Sequence, residues 1–172
     1  MPDQALGADA LLLACVPRLR RYARALTGNA ASADDLVQDT LERGWARLAS
    51  WQAGTDMRAW LFSIMHNVRI DQLRRNPAQV EEFNADTHAG AVHDDATVRL
   101  QLRDMETALR LLPEDQRTVL LLVGLEELRY EEVAAMLEIP LGTVMSRLAR
   151  AREKLRALME GRPLRAPLKV VK

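Results

Sequence analysis

The sequence predicts an all-α fold of two small helical domains joined by a flexible acidic linker, and three observations carry that expectation. Apolar residues recur at spacings of three and four along nearly the whole chain, the period of a helix with one buried face. The Val, Ile and Thr alternation of half-buried strands is missing. Residues 78–98 hold five acidic groups, no basic ones and few apolar residues, so they lack the surface needed to order themselves and divide the chain in two. A length of 172 residues suits one medium domain or two small ones, which disfavours a large enzyme fold.

The first helix is read from Leu12, Val16, Leu19, Tyr22, Ala23 and Leu26 on one face, with Pro17 marking its first turn or a kink, and Thr27-Gly28-Asn29 ending it. Ser32 with Asp35 three positions on is a start signal for the second, whose buried stripe is expected to be Leu36, Val37, Leu41, Trp45 and Leu48. A loop from Trp51 to Asp56 leads to a third helix carrying Trp60, Leu61, Ile64, Met65 and Val68, which runs to Arg74-Arg75 before Asn76-Pro77 stops it. After the linker, Val98, Leu102, Met105, Leu109 and Leu112 form one stripe. Pro113-Glu114-Asp115 then restarts a helix, with a proline and two acids where a helix N-terminus favours them, and Val119, Leu120, Leu122 and Val123 supply its core. Two more helices follow, Tyr130 to Leu137 and Gly142 or Thr143 to about Met159, separated by Glu138-Ile139-Pro140-Leu141.

The charge balance looks neutral, with 24 basic and 24 acidic residues, but its distribution is uneven. Residues 141–172 hold 9 basic groups against 2 acidic ones, so a basic segment is hidden in the average. No apolar run approaches the roughly 20 residues of a membrane span, and no basic start with an apolar signal core opens the chain, which reads as soluble and cytoplasmic. Cys15 has no partner for an internal disulfide, and neither it nor His66, His88 and His93 fall into metal-ligand spacing, so no metal and no cofactor are expected.

Two helices joined by a turn of about four residues, the second with one greasy and one basic face, match the helix-turn-helix pattern of DNA-binding proteins. In the last helix Leu141, Val144, Leu148, Ala151, Leu155 and Leu158 repeat at three and four and are expected to face the core. That leaves Thr143, Ser146, Arg147, Arg150 and Lys154 on a face able to enter a major groove. Arg150 is suited to donating twice to a guanine edge and Ser146 to bonding either base type, while Thr143 and Arg147 near the helix start suit phosphates. The alternative for this segment alone is a solvated basic helix with no ligand.

The string Leu141-Gly-Thr-Val-Met-Ser-Arg-Leu-Ala-Arg-Ala-Arg-Glu-Lys-Leu155, after Tyr130-Glu-Glu-Val-Ala134, resembles the promoter-reading fourth domain of bacterial sigma factors. Asp34-Asp-Leu-Val-Gln-Asp-Thr-Leu41 followed by Trp45, and Ala59-Trp-Leu-Phe-Ser-Ile-Met-His-Asn67 followed by Ile70-Asp-Gln-Leu-Arg-Arg75, resemble the second sigma domain. The order and the acidic linker are similar to those of the extracytoplasmic-function (ECF) group. The resemblance implies a sigma domain 2 over residues 11–77, a linker over 78–98 and a sigma domain 4 over 99–160. It implies a transcription initiation factor, not an enzyme, that brings core RNA polymerase to a two-part promoter, helps open the duplex and is controlled by an anti-sigma factor.

Asp35, Gln38, Asp39 and Glu42 lie at i, i+3, i+4 and i+7, an acidic stripe that wants a basic partner. The resemblance supplies one in core polymerase, the beta-prime coiled-coil clamp, with the beta flap as a second polymerase contact. It also implies that Gly54, Thr55 and Asp56 of the loop, with Asn67, Arg74 and Arg75, meet the minus-ten element, whose base must be unstacked to expose its pairing edge. Met145 and Ala149 join Thr143, Ser146, Arg147, Arg150 and Lys154 at the minus-thirty-five element. They stand where relatives often have a basic or larger residue, which leaves base preference open. The rivals are a stand-alone helix-turn-helix regulator that binds duplex DNA without polymerase, and an enzyme holding magnesium through Asp34, Asp35 and Asp39, which lack a phosphate-binding glycine loop.

Overall fold

The computed structural model describes residues 7–76 and 104–161. The expected tether of residues 78–98, with Val98 and Leu102 beyond it, falls outside these described residues. Among the described residues all regular structure is helical.

The first domain is three helices, α1 (Ala8–Thr27), α2 (Ala30–Ala46) and α3 (Met57–Arg75), each packed on the other two. A short 3-10 turn, Leu48–Ser50, follows α2. Gly28 ends α1 in the left-handed region at φ 68°, where the missing Cβ removes the steric penalty. Asn29 immediately caps α2, its side chain accepting from the Ser32 N–H at 3.0 Å. The α2 start is therefore three residues earlier than Ser32 suggested, because an Asn is as good a cap as a Ser and lies one residue past the turn glycine. Pro17 lies in the middle of α1, so it marks no first turn.

Leu12, Leu19, Leu26, Leu36, Leu61, Phe62, Met65 and Val68 are buried in this bundle. The Tyr22 and Phe62 rings meet edge-on, 5.0 Å between centroids at 64°, a favoured aromatic geometry. Trp45 departs from its expected place in the buried stripe and is 54% exposed. The adjacent Gly44 explains it: Gly44 is the buried residue of that turn, and a Cβ there would stand 3.0 Å from Leu61, so α2 and α3 approach through the glycine and leave Trp45 outside. Two polar ties hold the same pair of helices, Arg43 to Asp71 at 2.9 Å and Gln72 to Asp39 at 3.0 Å. The Arg43 hydrogen bond holds the Asp71 carboxyl below the usual carboxylate range.

The second domain comprises a helical stretch at residues 104–110, then α4 (Glu114–Gly124), α5 (Tyr130–Leu137) and α6 (Leu141–Met159). Val119, Leu122, Leu128, Val133, Val144, Leu148 and Ala151 fill its interior. Met105 and Leu141, expected to face inward, are 37% and 40% exposed; both lie in the first turn of their described helical segments, where fewer neighbours can cover them. The Arg129 N–H donates to Glu132 at 2.7 Å, closing the start of α5 and holding the Glu132 carboxyl below its ordinary range.

The two domains touch directly. α1 packs on α4 and α3 on α5, and the buried apolar residues of both domains form one contiguous cluster. Arg117 of α4, 8% exposed, donates to the Leu26 carbonyl of α1 at 2.7 Å and to Arg110 and Leu112 carbonyls of its own domain at 2.8 Å each. Arg69 of α3 pairs with Glu114 of α4 at 2.8 Å. Burial pushes the Tyr22 hydroxyl pKa well upward, against the opposing pull of its hydrogen bond with Thr118 across the seam.

Candidate nucleic-acid interface

The HTH unit is α5, a turn and α6. Glu138 adopts the left-handed region at φ 54° and Pro140 caps α6, so three residues turn the chain between the two helices. Because Val144, Leu148 and Ala151 are buried, the opposite side of α6 faces out. Met145, Ser146, Ala149 and Arg150 are exposed together there, with Thr143 and Lys154 half-buried at its margins. The Ser146 hydroxyl donates to the Thr143 carbonyl at 3.1 Å, a bond it can give up to a base edge. Arg147 sits off this face and pairs with Asp115 of α4 at 3.2 Å. In this arrangement the guanidinium expected on a phosphate is engaged by its own domain.

On α2 the four stripe residues differ in what they offer. Asp35, Gln38 and Glu42 are exposed, and Gln38 donates to Glu42 at 3.1 Å. Asp39 is half-buried and accepts from Gln72 of α3. Exposed Trp45 stands three residues beyond Glu42 on the same helix, so an acidic stripe ends in an aromatic one. The sequence signal for that aromatic was present, but a Trp at helical spacing is read first as core.

In the loop before α3, Gly54 takes φ 89° with open space where a Cβ would lie, and the Thr55 hydroxyl donates to the Gln52 carbonyl at 2.7 Å. The Asp56 carboxylate caps α3, accepting from the Arg58 N–H at 2.8 Å, and pairs with the Arg58 guanidinium at 3.2 Å. A cavity of about 390 Å³ opens between this loop and α1, lined by Cys15, Arg18, Thr55, Asp56 and Arg58 among others. Burial, then the Asp56 charge, raises the Cys15 thiol pKa, which keeps it a thiol. Asn67, Arg74 and Arg75 are exposed along α3. They stand apart from the loop: at 1.5 Å per residue Asn67 is about 15 Å along the axis from Met57, and Arg74 about 10 Å further. Among the described residues no group of His, Cys, Asp and Glu is arranged to hold a metal ion.

Residues 12–66 match the family model described as the Sigma2 domain of PhyR, and residues 102–155 match Sigma-70, region 4. The ECF RNA polymerase sigma factor EcfG of Rhodopseudomonas palustris (strain TIE-1) is 41% identical over 150 residues, which are 86% of this chain and 82% of the relative. This chain belongs to the ECF RNA polymerase sigma factors. Sigma factor SigW of Bacillus subtilis (strain 168) is 28% identical over 144 residues, 76% of this chain and 77% of the relative. Among solved structures, the sigma factor RpoE of Bartonella quintana, in complex with the anti-sigma factor NepR, matches at a TM-score of 0.72 and 36% identity, covering 87% of this chain and 94% of that one. CnrH, in complex with the cytosolic domain of CnrY, matches at 0.65 and 26%, covering 90% of this chain and 88% of its own.

As an ECF sigma factor the chain is a transcription initiation factor, and no helix among the described residues is long and apolar enough to cross a membrane. One cluster in it escaped sequence reasoning. Glu126, in the turn between α4 and α5, is fully buried, and its carboxylate accepts from Arg21 of α1 at 2.9 Å with Arg18 3.8 Å away. Arg58 donates to the Glu126 main-chain carbonyl at 2.9 Å, and Arg21 to that of Leu125 at 3.2 Å. Nothing in the string Leu125-Glu-Glu-Leu128 tells the buried glutamate from its exposed neighbour.

Proposed function

We propose that this ECF sigma factor binds core RNA polymerase through the acidic face of α2, reads the minus-thirty-five element with α6, and meets the minus-ten element with the Gly54–Asp56 loop and α3. Residues 11–77 serve as domain 2 and residues 99–160 as domain 4. The observation that carries the reading is the outward face of α6: Met145, Ser146, Ala149 and Arg150 are presented together on a helix whose other side is locked into the core. A solvated helix with no ligand has little use for two apolar residues, Met145 and Ala149, between its polar ones, whereas a thymine methyl or a sugar edge does. Asp35, Gln38 and Glu42 suit the beta-prime clamp, with Trp45 as an aromatic anchor beside them. The factor supplies no catalytic group of its own and works in the cytoplasm, and an anti-sigma factor holds it when its genes are off, in keeping with the partner of the Bartonella relative. Reconstitution with core polymerase on a genomic template, followed by transcript sequencing, tests this. Discrete starts sharing two upstream elements are expected, and DNA footprints without core would overturn it in favour of a stand-alone regulator.

A further inference from the structure

Resting on that functional reading, we propose that Asp115 is a positioning residue that withholds Arg147 from the DNA backbone and so limits the affinity of α6 for duplex of any sequence. Thr143, Arg147, Arg150 and Lys154 lie at i, i+4, i+7 and i+11, one basic edge running down α6 beside its outward face. A guanidinium on such an edge suits a phosphate. Arg147 is turned aside instead: its Nε stands 3.2 Å from an Asp115 carboxylate oxygen, with 30% of its side chain exposed and 50% of that of Asp115. Arg150, three residues on, is exposed. The same edge therefore carries one arginine held back and one offered.

Both partners belong to one domain, and the carboxylate reaches α6 from a rigid base. α4 packs on α6, with Val119 and Leu122 of the first and Val144 and Leu148 of the second in the same buried core. Arg117 fixes the start of α4 by donating to the Arg110 and Leu112 carbonyls at 2.8 Å each. One Asp115 oxygen accepts from the Gln116 N–H at 2.9 Å, which aims the other at Arg147. An exposed ion pair of this kind contributes little to stability, so its consequence lies in where it puts the charge. It occupies the Arg147 guanidinium, and the half-exposed carboxylate repels any phosphate that approaches the same edge. Both effects act on the backbone, which is alike in every sequence. One phosphate contact is worth about eightfold in affinity at 0.1 M salt, from a slope of about 0.9. Non-specific sites in a genome number about a million or more, so an added contact of this kind would lengthen the stay of polymerase mainly where no promoter lies.

The test uses the full chain assembled with core polymerase and two duplexes, one carrying the minus-thirty-five element recovered by transcript sequencing and one with that element scrambled. Affinity is measured across a salt series for the parent, Asp115→Asn, the double variant Asp115→Asn with Arg147→Gln, and Asp104→Asn, an exposed acid outside the pair with the same charge change. Asp115→Ser, a residue that also suits a helix start, replaces Asp115→Asn if the latter does not fold. Asp115→Asn should bind both duplexes about three- to eightfold more tightly at 0.1 M salt, with a salt slope steeper by about 0.9 and the ratio between the duplexes unchanged. The double variant should lose that gain, and Asp104→Asn should stay within about twofold of the parent. No gain, a gain that survives in the double variant, or an equal gain in Asp104→Asn would each overturn the proposal. Weaker binding by Asp115→Asn would overturn it too, by showing that Asp115 presents Arg147 to the backbone. Failure of the parent holoenzyme to favour the recovered element over its scrambled form would instead overturn the functional reading beneath it.

Discussion

Glu126 and Glu127 carry the same side chain one position apart, yet one is fully buried among arginines and the other is exposed with φ at 57°. Backbone geometry separates them. A left-handed residue turns the chain sharply enough to drive its neighbour inward, at a cost of roughly 1–2 kcal/mol for an L-residue. Glu127→Gly removes that cost and adds some unfolded-state entropy, so it should stabilise the chain by about 0.5–1 kcal/mol. Urea unfolding checks it, and an unchanged midpoint would mean that the turn is unstrained. Asn29→Ala should act in the opposite direction, costing about 1 kcal/mol through the lost α2 cap. Legibility at this scale followed locality. The Gly28 stop lies beside the residues it acts on and can be seen in the string, whereas the exposure of Trp45 depends on how closely Leu61, sixteen positions from it, approaches Gly44.

Elements were read more easily than residues, since a period of three and four survives small errors at either end. The α5 bounds and the Pro113-Glu114-Asp115 start agree with expectation, and α6 begins at Leu141, one residue before Gly142 and two before Thr143, because Pro140 fits the capping position. The α6 face then separates two roles. Arg150, exposed, should cost about 1–3 kcal/mol on Arg150→Ala and relax preference at one position of the minus-thirty-five element. Lys154→Ala should weaken all sequences alike and reduce the salt slope by about 0.9. Selection on randomised elements measures both, and an unchanged preference profile for Arg150→Ala would make it a positioning residue only. On α2 the structure directs the choice of probe. Asp39 is tied to Gln72, so reversing it disturbs the packing of α2 on α3 as well as any partner. Exposed Asp35 has no such tie among the described contacts, and Asp35→Lys should weaken core binding several-fold with the melting temperature unmoved; loss of both together would mark a folding defect instead.

At the scale of the whole molecule the seam was illegible because its partners are remote: Arg21 and Glu126 are 105 positions apart, and no local pattern links them. The seam also contains a titratable group near neutrality. His66 of α3 lines a cavity of about 290 Å³ against the second domain, facing Glu114 and Asp115 of α4 and Arg147 of α6. Burial lowers its pKa from the ordinary 6.5, Glu114 opposes that shift and Arg147 adds to it. With the closed-state pKa below that of the open chain, the closed form binds fewer protons, and closure is favoured as pH rises. Its contribution is therefore complete above about pH 6.5 and is lost as the pH falls through the lower closed-state value. The window in which His66 acts is therefore the one just below pH 6.5. Energy transfer between the two domains should decline over that window in the parent, and His66→Gln, which stays neutral, should hold its transfer flat. Parallel profiles for the two proteins between about pH 5.5 and 7.5 would assign the change to another group and remove His66 from the seam's balance.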